Sequence, residues 1–150
     1  MKSFIINSIA FVAVAAAIVS FAPSFGGEGF EISLDSKVVI QKYGPNINDV
    51  NSLQLDQSSY NEQLTVKYHH CGRVGKNRVL SLKDGQNRMV KEWKFADAAT
   101  PVAAMSCNVK DILALKKGNS GLYKLYYISS ELPNGRLLTN IVLGNSVKKK

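Results

Sequence analysis

The chain has 150 residues, which is the length of a single domain. Apolar residues make up 45% and charged residues 20% of it, a globular composition that excludes an intrinsically disordered chain and a bundle of membrane helices. With 11 glycines, 4 prolines and 2 cysteines, it is neither collagen-like nor a disulfide-dense mini-protein. The net charge of +8 at pH 7 favours an acidic partner over a basic one.

The first 26 residues have the features of an export signal. Lys2 places a positive charge near the start, and residues 9–19 (IAFVAVAAAIV) contain no polar side chain. This stretch is shorter than the roughly 20 apolar residues that a transmembrane helix needs. We therefore predict a signal peptide over residues 1–26, cleaved between residues 22 and 27, with an uncleaved anchor as the alternative. The remainder is expected in the periplasm or outside the cell, with no transmembrane segment after cleavage.

Beyond residue 27, apolar and polar residues alternate, which is the period of β-strands. The predicted strands cover residues 30–34, 37–43, 53–55, 64–68, 78–83, 89–95, 122–129 and 137–143. Asp84-Gly85 and Asn134-Gly135 predict hairpin turns, because these dipeptides tolerate positive φ angles. Residues 122–129 (LYKLYYIS) are apolar on both faces, as a central strand would be.

One short helix is predicted near residues 108–117. Asn108 can cap it, Asp111 lies in the positively polarised first turn, and Gly118 can end it. Its position between two groups of strands predicts a crossover from one sheet to another.

These elements predict an all-β fold, a two-sheet immunoglobulin-like β-sandwich of about eight strands. It forms a single domain over residues 27–147, followed by a basic tail at residues 148–150. A small barrel is the alternative architecture. The residues expected at the centre of the core are Tyr68, Trp93, Phe95, Leu125 and Tyr126.

Cys71 and Cys107 are the two cysteines, and an even count in an oxidising compartment predicts a disulfide between them. The closed loop would stabilise the fold by about 3–4 kcal/mol in the chain-entropy model. One alternative is that both are buried free thiols. The other is a copper or zinc site that uses His69, Cys71, Met105 and Cys107, although no CxxC or HxxxH spacing supports it. We expect no other cofactor.

The segment from residue 72 to residue 88 is basic and begins with two closely spaced glycines. Such backbone beside Arg and Lys can hold an anion, but the segment has no P-loop spacing. The predicted contact residues for an anionic envelope polymer or a protein partner are Arg73, Lys76, Arg78 and Arg88. Nucleic acid is not the expected partner, and a solvated hairpin without a ligand is the alternative.

The sequence has no GxSxG turn, and its carboxylates are scattered rather than paired, so no enzymatic activity is predicted. Residues 64–95 (LTVKYHHCGRVGKNRVLSLKDGQNRMVKEWKF) and 122–136 (LYKLYYISSELPNGR) resemble small secreted bacterial β-sandwich proteins of uncharacterised function. The resemblance implies export and a two-sheet fold, and it assigns no catalytic residues. The sequence thus predicts an exported, non-enzymatic module for binding or envelope assembly, with a metal-handling protein as the alternative.

Overall fold

The computed structural model describes residues 27–117 and 121–144. The predicted signal peptide, the basic tail and Gly118 lie outside these residues. The described part contains nine strands and one α-helix: β1 Glu28–Leu34, β2 Lys37–Tyr43, β3 Asn51–Leu55, β4 Gln63–His70, β5 Arg78–Lys83, β6 Met89–Phe95, β7 Ala104–Asn108, α1 Val109–Leu113, β8 Gly121–Ser129 and β9 Leu132–Leu143. Two 3-10 helices, Gly44–Asn48 and Gln57–Ser59, flank β3. No helix in the described residues is long and apolar enough to span a membrane.

The strands form two separate sheets. One sheet has four strands in the order β2-β1-β4-β7, and the other has five in the order β3-β9-β8-β5-β6. Neighbouring strands are antiparallel except for β3 and β9, which run parallel. The predicted all-β two-sheet sandwich is therefore confirmed, and the alternative barrel is not formed.

The core lies between the two sheets and follows the alternation of the strands. On β4 and β8 every second side chain is buried. Tyr68 and Leu125 lie in the core as predicted. Tyr126 instead faces outward, because its neighbours on β8 point inward, and Lys83 Nζ lies 4.4 Å from its ring centroid.

Trp93 and Phe95 are only partly buried against the core. They lie on β6, which is the last strand of its sheet. A strand at the edge has a neighbour on one side only, so its inward side chains are covered incompletely. The prediction that both aromatic rings lie at the core centre is wrong for this reason.

Helix α1 connects β7 of the four-stranded sheet to β8 of the five-stranded sheet, so the predicted crossover is confirmed. It is only five residues long and buries Val109 and Ile112. Asn108 occupies the cap position, but its side chain makes no capping hydrogen bond. Strand β7 was not predicted, because its two inward residues, Met105 and Cys107, give too short an alternating pattern.

The two predicted hairpin turns have different outcomes. Asp84-Gly85 lies in the loop between β5 and β6, as predicted. Asn134-Gly135 does not form a turn but lies within β9. The chain reverses earlier, at residues 130–131, because Ser129 already pairs with Leu132.

Candidate functional site

Arg78, predicted as a contact for an anion, is a buried structural residue. Arg78 is only 7% exposed. The guanidinium donates from Nε to the carbonyl of Ala96 at 2.9 Å and from Nη1 to that of Ala103 at 2.8 Å. These bonds hold the connection between β6 and β7. A small cleft of about 320 Å³ adjoins Arg78, Lys94 and Phe95, but two nitrogens of the guanidinium already donate to backbone carbonyls.

The other three predicted contact residues do not form one surface. Arg73 and Lys76 lie in the loop before β5, and Arg88 lies in the loop after it. A strand of six residues separates the two loops by about 20 Å. The structure therefore does not bring Arg73, Lys76, Arg78 and Arg88 together on one face, because β5 places Arg88 at the opposite end of the sheet from the other three.

Arg88 belongs instead to a cleft formed with the segment that follows α1. The cleft has a volume of about 480 Å³. Its lining residues come from the β5–β6 loop and the start of β6, from the end of the crossover and from β8: Asp84, Gln86, Arg88, Val90, Ala114, Leu115, Lys116, Lys117 and Tyr123. We call this the hairpin cleft.

The charged residues of the hairpin cleft are mostly basic. The cleft is lined by the basic side chains of Arg88, Lys116 and Lys117 and by a single carboxylate, that of Asp84, which forms an ion pair with Arg88 at 2.7 Å. Lys124 lies close by on β8, where its Nζ donates to Asn87 Oδ1 of the same loop at 2.8 Å. Because these cations come from separate elements, the fold concentrates positive charge at this end of the five-stranded sheet.

Asp84 organises the loop that carries Arg88. Its Oδ1 accepts hydrogen bonds from the backbone N–H groups of Gln86 at 2.9 Å and Arg88 at 3.0 Å. Its Oδ2 accepts from Arg88 Nε at 2.8 Å. The hydrogen bonds from Arg88 hold the pKa of Asp84 below its usual value. A carboxylate held ionised by these donors orients Arg88 rather than exchanging protons.

Apart from Gln86, the uncharged lining of the hairpin cleft is largely apolar. Val90, Leu115 and the ring of Tyr123 line it, and the Tyr123 hydroxyl donates to the carbonyl of Leu115. Lys116 Nζ donates to the carbonyl of Gly144 at 3.1 Å. The site thus combines an apolar floor with a cationic rim, an arrangement suited to binding an anionic group attached to an apolar stem.

The two cysteines lie at opposite ends of the four-stranded sheet. Cys107 on β7 pairs with Leu64 near the start of β4, whereas Cys71 follows the last residue of β4. Leu64 and Cys71 are seven positions apart, which corresponds to about 23 Å along a strand, and a disulfide needs Cα atoms within about 7 Å. Both thiols are free in the structure, and the predicted Cys71–Cys107 disulfide is not formed in it. The alternative of two buried thiols holds for Cys107 only, because Cys71 is exposed.

The predicted metal ligands are separated by the same geometry. Met105 and Cys107 point into the core, whereas His69 lies between the inward side chains of Tyr68 and His70 and so faces outward. Cys71 is beyond the end of the strand. No group of three or more metal-binding side chains of His, Cys, Asp or Glu exists among the described residues, and the sheet disperses the set His69, Cys71, Met105 and Cys107.

A buried polar cluster that the sequence did not predict joins the two sheets. His70 Nε2 on β4 lies 2.9 Å from the Tyr127 hydroxyl and 3.4 Å from Ser129 Oγ on β8. Desolvation lowers the pKa of His70 and raises the pKa of Tyr127. A serine beside a histidine suggests nucleophilic chemistry, but both residues are 3% exposed. Their position favours a structural bond between the sheets.

Arg136 on β9 extends this cluster to the surface. Its Nε donates to the Tyr68 hydroxyl at 2.7 Å, its Nη1 to Asn48 Oδ1 at 2.6 Å, and its Nη2 to Glu28 Oε2 at 2.7 Å. The Tyr68 ring stacks on Tyr127 with 4.3 Å between centroids. Arg136 therefore connects its own strand to three other segments of the sandwich. All three of its guanidinium nitrogens already donate to protein acceptors.

The signals for these sites differ. In the sequence, Lys116 and Lys117 are simply two lysines near the end of the predicted helix, and nothing local to them indicates that the β5–β6 loop lies opposite. Scans of the chain against protein-family models and curated proteins give no match.

Proposed function

We propose that the protein is an exported, non-enzymatic binding module whose ligand is an anionic component of the cell envelope. The hairpin cleft is its binding site, and the ligand presents a phosphate or carboxylate group on an apolar stem. The observation that supports this most directly is the placement of Arg88, Lys116 and Lys117 around one cleft that also has an apolar wall. Export rests on the apolar run and the following small residues within residues 1–26, and we expect the purified protein to begin between residues 22 and 27.

The chemistry of the cleft favours binding over catalysis. Its one carboxylate, Asp84, is tied to Arg88 and to two backbone N–H groups. A general acid or base needs a pKa near the working pH, whereas the pKa of Asp84 is lowered. The metal-handling alternative has less support than the hairpin cleft, because His69, Cys71, Met105 and Cys107 do not lie together in the fold.

The binding proposal is tested with octyl phosphate as the probe, followed by calorimetry or ligand-observed NMR. We expect octyl phosphate to bind more tightly than inorganic phosphate or octanol. Only octyl phosphate offers both a charged group to the basic side chains and an alkyl chain to the apolar wall of the cleft. Lys117→Glu should weaken binding about tenfold, which corresponds to about 1.4 kcal/mol. Raising the salt concentration to about 0.5 M should weaken it as well, because screening shortens the range of the charges.

Lys37→Glu is the matched control, because Lys37 is an exposed lysine at the start of β2 on the other sheet. It makes the same charge change and should leave binding unaltered. Equal losses in both variants would show attraction by net charge alone. Equal affinity for octyl phosphate and octanol would exclude an anion site in the hairpin cleft.

A further inference from the structure

Strand β6 has an edge that no other described strand covers. It is the terminal strand of the five-stranded sheet, and within the described residues its strand partner is β5. The strand contains no proline and is seven residues long. Met89 and Val90 at its start are 58% and 38% exposed. An uncovered edge of this kind offers a row of backbone N–H and C=O groups to another strand.

We propose that β6 is a homodimer interface, in which β6 of one copy pairs antiparallel with β6 of a second copy about a two-fold axis centred on Trp93. The two five-stranded sheets then become one continuous sheet. A second copy of the chain is the partner because the charges of β6 complement those of an inverted β6, as the possible registers show.

A symmetric antiparallel pair must be centred on a residue, because paired side chains share a face of the sheet. Centring on Glu92 sets the two Glu92 carboxylates directly opposite each other. Centring on Lys91 sets the two Lys91 ammonium groups opposite each other. Like charges in directly opposed positions destabilise a strand pair, so these two registers are disfavoured.

Centring the pair on Trp93 places unlike charges opposite each other instead of like charges. Glu92 of each copy then lies opposite Lys94 of the other, which creates two ion pairs on the outer face of the joined sheet. Both groups are accessible for this, since the Lys94 side chain is 79% and the Glu92 side chain 31% exposed in their ion pair within one copy. Opposite charges in directly paired positions stabilise a sheet.

The inner face is compatible with the same register. Trp93 lies opposite Trp93 of the second copy, and Lys91 lies opposite its Phe95. Lys91 Nζ already lies 5.7 Å from the centroid of the Trp93 ring in one copy, so cationic and aromatic groups share this face. Trp93 and Phe95 are only partly buried in a single copy, and strand pairing would cover them further.

The charged residues therefore select one register instead of preventing association. Charged side chains on an edge strand usually discourage pairing. On β6 they disfavour the registers centred on Lys91, Glu92 and Lys94. Centring on Trp93 pairs five residues of the strand, 91–95, whereas centring on Val90 pairs only three, 89–91. Glu92, Trp93 and Lys94, which set this register, do not line the hairpin cleft.

The first test uses protein purified after expression of the full chain. Light scattering measures its molar mass in solution over a range of protein concentrations. We expect a dimer. Glu92→Lys and Lys94→Glu should each weaken dimerisation by about tenfold, because each places like charges opposite one another twice. The double variant restores opposite charges and should dimerise close to the wild-type level.

The matched controls are Asp49→Lys and Lys37→Glu, which make the same charge changes at exposed positions outside β6. Both should dimerise normally, and circular dichroism confirms that each variant is folded. A monomer at every accessible concentration overturns the proposal. A dimer that tolerates both single charge reversals also overturns it, since the interface would then lie elsewhere.

The second test determines the register by cross-linking in a Cys71→Ser background, which removes the exposed thiol. Mixing Glu92→Cys protein with Lys94→Cys protein should produce a disulfide-linked dimer under mild oxidation, while the second Glu92–Lys94 pair of that dimer stays intact. Neither variant alone should cross-link comparably. Efficient cross-linking of Glu92→Cys with itself would establish the register centred on Glu92 and overturn the one proposed.

Discussion

At the scale of single residues, the histidine pair shows how alternation along a strand separates two chemically identical neighbours. His70 points into the core, and its Nε2 lies within hydrogen-bonding distance of the Tyr127 hydroxyl. His69 faces outward, and its ring meets the edge of Tyr43. A buried polar group needs a partner, and Tyr127 supplies it. The buried histidine is therefore a structural component that is sensitive to protonation.

We expect the free energy of unfolding to fall as the pH decreases below about 6.5, the ordinary pKa of histidine. Desolvation lowers the pKa of His70 in the folded state, so the unfolded chain takes up the proton first. The contribution of neutral His70 to stability is therefore fully present above the ordinary histidine pKa. It is lost as the pH falls toward the lower pKa of His70 in the folded state. Urea unfolding at pH 7, 6 and 5 measures this loss, and His70→Gln should reduce it.

His69→Gln is the control and should keep the pH dependence of the wild type. The charges around His70 oppose one another, since Glu131 and Glu28 favour its protonation while Arg73 and His69 disfavour it. Desolvation is the largest influence. A His70→Gln variant with the same pH profile as the wild type would show that carboxylates elsewhere cause the loss.

At the scale of elements, the dipeptide Asn134-Gly135 illustrates how one local signal serves two structures. Gly135 has a φ of 71°, as a hairpin turn would require. The pairing changes register here, because Ser129 pairs with Leu132 whereas Tyr127 pairs with Arg136. The positive φ is used in a β-bulge, which sets Arg136 opposite Tyr127 and within reach of Tyr68. The dipeptide signal was correct about the positive φ of Gly135 and wrong about the element.

We expect Gly135→Ala to destabilise the protein by about 1–3 kcal/mol, the usual cost of a side chain in the left-handed region. The added Cβ would also lie 2.9 Å from Ile128 Cγ1. Gly85→Ala is the matched control, because a Cβ there meets nothing within 4 Å and surface changes of this type cost within about 0.5 kcal/mol. Chemical denaturation compares the two, and equal stability would contradict the role of the bulge.

At the scale of the whole molecule, the order and register of the strands decide which residues meet. The two thiols are separated because β7 pairs with the start of β4. The basic residues of the 72–88 segment are divided because β5 lies between them. Arg88 acquires Lys116 and Lys117 as neighbours because the crossover returns to the end of the five-stranded sheet where the β5–β6 loop lies.

We expect one of the two cysteines to react with a thiol reagent in the folded protein and both to react after denaturation. Cys71 is exposed, whereas Cys107 is buried, and burial raises its pKa to about 12. A thiol with that pKa is protonated and unreactive at neutral pH. Cys71→Ser should abolish the reaction of the folded protein, while Cys107→Ser should preserve it. Two thiols that appear only after reduction would contradict the arrangement of β4 and β7.

The sequence by itself determined the all-β class, most of the strands, the crossover helix and the central position of β8. These features follow from hydrophobic alternation and turn chemistry, which are properties of neighbouring residues. Only the tertiary structure decided how far apart Cys71 and Cys107 lie, how the basic segment is divided and that the hairpin cleft exists. Each of these depends on the register between strands that are distant in the chain, and residue type alone does not specify that register.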